Sequence, residues 1–292
     1  MIRKIIKKLL HQLRLSLGII EMKADLSVMK SVIIEEFISR ELRENNRYKN
    51  KKRLNQYEMQ IYSQFGEDGI IEEIIKRVGS KTKYFVEIGT GDGMENNTVN
   101  LLVNGWKGLW LDADQNLCTL ARQNLDPFIT KGKLKIDQAF VDTDNVTKFF
   151  ESANVPKEFD FLSIDIDGND YWIWKKLSTY KPRIVCMEYN VTIGPTAEWI
   201  MKYNKSHISD STNYFGASLK SFELLGRSLG YTLVGCSFAG TNVFFVRNDL
   251  TKNKFLTPST SENFYEPARY FIFRKSLYPK SPKTFGDYIQ QK

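Results

Sequence analysis

The stretch Val86-Glu87-Ile88-Gly89-Thr90-Gly91-Asp92-Gly93 directly follows a short apolar run. Glycines let a backbone turn tightly and approach a ligand where a Cβ would clash. Twenty-three residues beyond Gly89 stands Asp112, at the end of the next apolar run, where an acidic side chain can accept both hydroxyls of a ribose. Two cofactor classes use this arrangement. A dinucleotide loop of the form G-x-G-x-x-G needs glycine at 94, where the chain has Met94. Glu87, Asp92 and Glu95 would also repel a pyrophosphate. A sulfonium cofactor carrying an ammonium group is favoured by the same acidity, which selects S-adenosylmethionine over a nicotinamide dinucleotide.

Methyl transfer from sulfonium is an in-line displacement, so a protein must align acceptor, methyl and sulfur and exclude water. An oxygen acceptor must also lose a proton. The chain has only two histidines, His11 and His207. His207 lies in 194–218, where an acceptor lid would sit, and is the histidine placed to act as a base. A second device is a divalent cation. Asp165 and Asp167 end one apolar run, and Glu188 and Asn190 end another. Such a set could hold Mg²⁺, which keeps several waters and polarises an acceptor hydroxyl. The competing reading gives Asp165 to the cofactor ammonium, as a catalytic-site carboxylate, and makes Asp167 the cap of a helix near Asn169-Asp170. Trp172, Trp174, Tyr189, Trp199, Tyr203 and Tyr214 follow the same ends, and one or two could face an acceptor ring.

These side chains need strand ends to carry them. Tyr84–Ile88, Leu109–Leu111, Leu134–Ile136, Phe159–Ile164 and Ile184–Met187 read as five buried strands with helical segments between them. Tyr231–Val234 and Asn242–Val246 are close enough for an antiparallel hairpin, whereas a parallel pair needs a longer crossover. The pattern predicts a doubly wound, mostly parallel α/β sheet with helices on both faces. Ile70, Ile71, Ile74, Ile75 and Val78 make one helix face ending at Gly79.

Charge divides the 292 residues into three parts. Residues 1–57 hold 14 basic and 6 acidic groups, 58–250 hold 20 and 25, and 251–292 hold 8 and 3. The basic balance therefore comes from the ends, and the middle lacks the basic footprint of a nucleic-acid reader. Three cysteines without a CxxC spacing argue against disulfides and for a reducing, cytoplasmic compartment. In residues 1–20 apolar positions repeat at helical spacing with Arg3, Lys4, Lys7, Lys8 and Arg14 between them. That segment is unlike a secretory leader. It is expected either to dock on an anionic membrane at its inner face or to join 21–44 in a helical hairpin or a homodimer. The basic run 45–53 reads as a connector, with a boundary near Tyr57. The last 42 residues are rich in proline and aromatics and are expected to pack back irregularly on the body.

Six motifs taken in order resemble the FkbM-like group of class I S-adenosylmethionine-dependent methyltransferases. They are Ser63-Gln64-Phe65-Gly66-Glu67-Asp68, the Phe85–Gly93 loop, Gly108-Leu109-Trp110-Leu111-Asp112, Ser163-Ile164-Asp165-Ile166-Asp167-Gly168, Tyr214-Phe215-Gly216-Ala217-Ser218-Leu219 and Asn242-Val243-Phe244-Phe245-Val246. The resemblance spans much of 58–250 and leaves both ends uncovered. It implies seven strands, the seventh antiparallel between the fifth and sixth. It also implies that Gln64, Glu87, Gly89, Thr90, Gly91, Gly93, Asp112, Ala113, Ala139, Phe140 and Asp165 bind the cofactor. Glu87 and the glycine loop would face its methionine part, and Ala139-Phe140 would border the adenine. Plain core packing is the competing reading for Phe140. The expected activity is O-methylation of a small-molecule or glycan acceptor in bacterial surface polysaccharide synthesis. The alternatives are a nicotinamide oxidoreductase and a non-catalytic, membrane-docked scaffold.

Overall fold

The computed structural model describes residues 6, 7 and 18–272. Each strand is a short run of apolar and β-branched residues stopped by a turn: Tyr84–Ile88 (β1), Lys107–Asp112 (β2), Leu134–Gln138 (β3), Phe161–Ile164 (β4), Ile184–Glu188 (β5), Tyr231–Cys236 (β6) and Asn242–Arg247 (β7). They form one sheet in the order β3-β2-β1-β4-β5-β7-β6. The first five are parallel, and β7 runs antiparallel between β5 and β6. This is the doubly wound, Rossmann-like sheet expected, with its last strand inserted as the resemblance implied.

The order dictates where a ligand can sit. The chain starts at β1 in the middle, winds out to β3, then returns to β4 on the other side of β1. Strand order reverses between β1 and β4, and a crevice opens beyond their carboxyl ends. Gly89 follows β1 and Asp165 follows β4, so both stand at that crevice. The two backbones run close. A methyl group on Gly89, whose φ is +85°, would lie 1.6 Å from the Asp165 carbonyl oxygen.

Side chains alternate across the sheet. Val86, Ile88, Leu109, Leu111, Leu162 and Ile164 feed the core on one face; Phe85, Trp110, Phe161 and Cys186 feed the core on the other. Ile70, Ile71, Ile74 and Val78, from the helix Glu67–Val78 (α2), close the second core. Leu219–Leu229 (α8) covers the first, with Ser218 accepting the Ser221 N–H at its start and Gly230 at φ +88° at its end. The remaining helices of the body, Val99–Val103 (α3), Gln115–Asn124 (α4), Asp126–Thr130 (α5), Val146–Ser152 (α6) and Asp170–Lys176 (α7), are short connectors between strands. Cys118, Cys186 and Cys236 are all buried thiols.

The glycine loop does not lead directly into a helix: residues 89–98 are irregular, and α3 begins only at Val99. Within the basic run 45–53, Tyr48 and Arg53 are buried and the other residues lie partly or fully at the surface; Leu54 and Asn55, which follow it, are buried. The Tyr48 hydroxyl donates to Glu266 at 2.7 Å, and Asn55 Nδ2 donates to the Cys236 carbonyl at 2.8 Å. Glu266, itself buried, needs cationic and hydroxyl partners; beside Tyr48, Arg47 and Arg269 supply them at 3.4 and 2.9 Å.

Ile19–Ile38 (α1) ends in a wide turn over Ser39–Arg43 and packs Ile34, Ile38 and Leu42 against Tyr48, Phe238 and Ile272. At the other end, Phe255 and Phe264 enter the two main cores, the latter from the single turn Ser261–Phe264 (α9). The amphipathic reading of residues 1–20 falls almost wholly outside the described residues, as do His11, Phe273, Tyr278, Phe285 and Tyr288. Among the described residues, no helix is long and apolar enough to cross a membrane.

Candidate functional site

Two adjoining cavities occupy the crevice, of about 200 and 380 Å³; Gly89, Gly91 and Asp165 line both. The smaller is lined further by Gln64, Glu87, Thr90, Asp92, Glu95, Asn96, Asn97 and Asn242. Gln64 reaches it on a turn cored by two carboxylates. Asp68 Oδ2 accepts the N–H groups of Ile61, Tyr62 and Ser63, each at 2.8 Å. Glu67 Oε2 accepts those of Phe65 and Gly66 at 3.0 and 2.9 Å. The Ser63–Asp68 motif is thus a loop-shaping device that presents one amide.

Glu87 is buried and accepts from Asn97 N at 2.9 Å, Thr98 N at 3.2 Å and the Thr98 hydroxyl. Burial pushes its carboxyl up to about 7, against the opposing pull of these hydrogen bonds. The same bonds satisfy the N–H groups that lead into α3, which starts after Thr98. Around Glu87 the cavity is rich in oxygen acceptors. Thr90 Oγ1, Asn96 Oδ1 and Asn242 Oδ1 are buried with no hydrogen-bond partner. The amide nitrogens of the two asparagines are taken by the Thr90 carbonyl at 3.0 Å and by Glu67 at 3.1 Å, which leaves the oxygens over. Buried, unsatisfied acceptors beside a carboxylate are the complement of a positively charged hydrogen-bond donor.

The larger cavity is bounded by Asp112, Ala113, Leu117, Ala139, Phe140, Asp167, Asn169 and His207. Phe140 is 43% exposed and lines the cavity, so it is not core packing. Asp112 carries a second task that its position in the sequence did not disclose. Its Oδ2 accepts Thr90 N and Gly91 N at 2.8 and 2.7 Å, and its Oδ1 accepts Asp114 N at 2.8 Å. The carboxylate clamps the glycine loop and keeps acceptor capacity on Oδ1 for a ligand hydroxyl. Nothing lies within 4 Å of a methyl built on Gly91, which fits a glycine that faces ligand space.

Of the four residues read as metal ligands, the structure gathers three. Oxygens of Asp165, Asp167 and Glu188 lie within 4.8 Å of one another. Asp165 and Glu188 are hydrogen-bonded to each other. Burial, with repulsion from neighbouring carboxylates, holds this pair's proton well above the usual carboxylate range. Asn190 does not join them. It is fully buried; its Nδ2 donates to the Asn213 and Phe215 carbonyls at 2.9 and 3.0 Å, and its Oδ1 accepts from Thr192. Nor does Asp167 cap a helix. Asp170 secures that turn, accepting Ile166 N and Gly168 N at 2.9 Å each, while Asp167 is exposed at φ +51°.

His207 sits at the rim of the larger cavity. Its Nε2 lies 3.1 Å from the Asp167 carbonyl. A carbonyl only accepts, so Nε2 carries a proton and Nδ1 is the nitrogen able to receive one. The segment around it is tied down on both sides. Asn169 exchanges bonds with Asn204, Trp172 Nε1 donates to the Met201 carbonyl at 2.8 Å, and Tyr203 meets the Thr143 hydroxyl at 3.0 Å. Trp199 and Tyr214 pair edge to face on the same segment.

Gly93 lies elsewhere. A methyl there would meet the Trp110 indole at 2.9 Å, so this glycine serves packing and lines neither cavity. Sequence reasoning missed Asn96, Asn97 and, as a site residue, Asn242. The polar run Glu95–Thr98 straight after the glycines was the available signal for the first two.

No protein-family model and no curated protein matches the chain, so the FkbM-like likeness rests on the motifs alone. Among solved structures, an O-methyltransferase from Bacillus cereus in complex with SAH aligns over 76% of this chain and 100% of its own, at 13% identity and a TM-score of 0.46. A S-adenosylmethionine-dependent methyltransferase from Clostridium acetobutylicum aligns over 62% and 90%, at 15% identity and 0.38. Likeness at this level identifies neither reaction nor substrate.

Proposed function

We propose that the chain is an S-adenosylmethionine-dependent methyltransferase that acts on an oxygen of a sugar or glycan-related acceptor. One observation carries the cofactor reading: the smaller cavity is a buried cluster of oxygen acceptors built around Glu87, joined at Gly89 and Gly91 to a larger chamber edged by Asp112 and Phe140. Glu87, Asn96 and Asn242 would hold the ammonium end, Asp112 a ribose hydroxyl, and Ala139 and Phe140 the base. When bound, the cofactor supplies a methyl group activated on cationic sulfur. The coupled Asp165–Glu188 pair is the group that would receive the acceptor hydroxyl proton. His207, at the lid rim, would help exclude water and is the alternative proton acceptor. A dinucleotide fits poorly, because the Asn97 and Thr98 N–H groups that might meet a phosphate are already committed to Glu87.

The acceptor class is supported by the motif resemblance and by the Trp199–Tyr214 pair near the lid, since aromatic faces suit a sugar ring. The test is a screen for acceptor-dependent formation of S-adenosylhomocysteine with sugar nucleotides and oligosaccharides. Turnover with one of them is expected. Cofactor binding with no turnover on any hydroxylated acceptor would leave the scaffold reading standing. A second reading, favoured by the approach of Asp165, Asp167 and Glu188, places Mg²⁺ on those oxygens to polarise the acceptor. Full turnover in EDTA would remove it.

A further inference from the structure

We propose that α1 is the seam of a parallel two-stranded coiled coil between two copies of this chain. Ile19, Met22, Leu26, Met29 and Ile33 follow one another at alternating steps of three and four along this helix. That is the a and d spacing of a heptad, which keeps one face toward a partner helix. All five are exposed, from 40% at Ile19 to 62% at Ile33, so none of the described residues covers them. The helix docks on its own body by another side: Ile34 and Ile38, at b and f, are buried against Phe238 and Ile272. The seam stops where docking begins, since the next d and a positions are Glu36 and Arg40.

Charge selects the occupant and its direction. In a parallel pair, a g residue faces the e residue five positions on in the partner. Here g is Asp25 and e is Lys30, opposite charges, and both are exposed. An antiparallel pair would bring Lys23 toward Lys30, which repel. Ile19 and Ile33 at a are β-branched, as parallel dimers prefer. An anionic membrane is disfavoured as occupant, because α1 carries Lys23 and Lys30 against Glu21, Asp25, Glu35 and Glu36. The seam runs about 21 Å. Stable interfaces bury on the order of 1,200–2,000 Å², so a contact this short is expected to associate reversibly.

The test is sedimentation equilibrium of the full chain from low to high micromolar concentration, with disulfide trapping. A reversible monomer–dimer equilibrium is expected. Met22→Cys should form a homodisulfide on mild oxidation, and Ala24→Cys, at the outward f position, should not; the native cysteines are buried. Asp25→Lys should weaken association at least tenfold, and Asp25→Lys with Lys30→Asp should restore it. A monomer at every concentration overturns the proposal. So does a dimer indifferent to Asp25→Lys, association that appears only after residues 1–17 are removed, or a monomer that binds anionic vesicles through Leu26.

Discussion

The imidazole of His207 rests on Gly168. A methyl group built on that glycine would lie 2.3 Å from Cδ2, and His207 Nε2 reaches the carbonyl of the preceding residue, Asp167, at 3.1 Å. The absence of a side chain at 168 is what lets the lid segment close over the end of β4. Gly168→Ala is therefore expected to lift His207 without touching the smaller cavity. Acceptor-dependent turnover should fall on the order of 10²-fold. Unchanged turnover would show that the lid position has no part in the reaction.

The glycines of the loop differ in what they do, and substitution separates them. Gly89→Ala sets a methyl against backbone at φ +85°, and is expected to cost more than about 3 kcal/mol in urea unfolding. Gly91→Ala has open space around it at φ +54°, so its cost should be only about 1 kcal/mol. Its methyl enters ligand space, and the loss should appear in cofactor affinity instead.

Glu87 links binding to pH. Its folded-state carboxyl lies near 7, above the ordinary 4.5, because burial disfavours the charge. The folded state therefore holds the proton more tightly than the unfolded one. The contribution to stability is present in full below about 4.5 and is lost as pH rises to about 7. In the free protein this slope, up to about 3 kcal/mol, should vanish in Glu87→Gln. A cationic ligand favours the carboxylate, so its affinity should rise with pH up to about 7 and its binding should release a proton. Calorimetry in buffers of different ionisation enthalpy measures that proton directly.

The Asp165–Glu188 pair gives a second pH signature of the same sign. Both folded-state carboxyls are raised, burial being the main cause and repulsion from neighbouring carboxylates the next, Asp170 foremost for Asp165 and Asp165 foremost for Glu188. Their shared proton stabilises the fold at low pH and is lost as pH rises through the raised range. Glu188→Gln removes one of the two charges. It should make the protein more resistant to denaturant at alkaline pH, and it should lower turnover on a hydroxyl acceptor by roughly 10²–10⁴-fold. Higher stability with full activity would assign the pair a structural role only.

The sheet was legible because each strand is a short apolar run bounded by turn residues, and the close spacing of β6 and β7 forced the antiparallel step. Glu87, Gly89, Gly91 and Asp112 were legible as cavity residues because strand ends in such a sheet converge, whereas Phe140 came only from the motif resemblance. What stayed hidden depended on hydrogen bonds between segments far apart in the chain. Asn190 reads like a ligand until its amide is seen holding Asn213 and Phe215. Asp167 and Asp170 are equivalent on paper, and only the backbone path decides which one caps the turn. Gly93 looks like part of the ligand loop, but the Trp110 ring is what requires it. Tyr48 reads as part of a polar connector because its partner, Glu266, is more than 200 residues away.

Titration calorimetry of the intact protein with S-adenosylmethionine, S-adenosylhomocysteine and NADH, repeated on Glu87→Gln, addresses the central claim most directly. The account expects S-adenosylmethionine and its demethylated product to bind at one site. It expects NADH not to bind, and Glu87→Gln to lose at least about tenfold in affinity for the methylated form. Binding of NADH, or S-adenosylmethionine affinity untouched by Glu87→Gln, would contradict it.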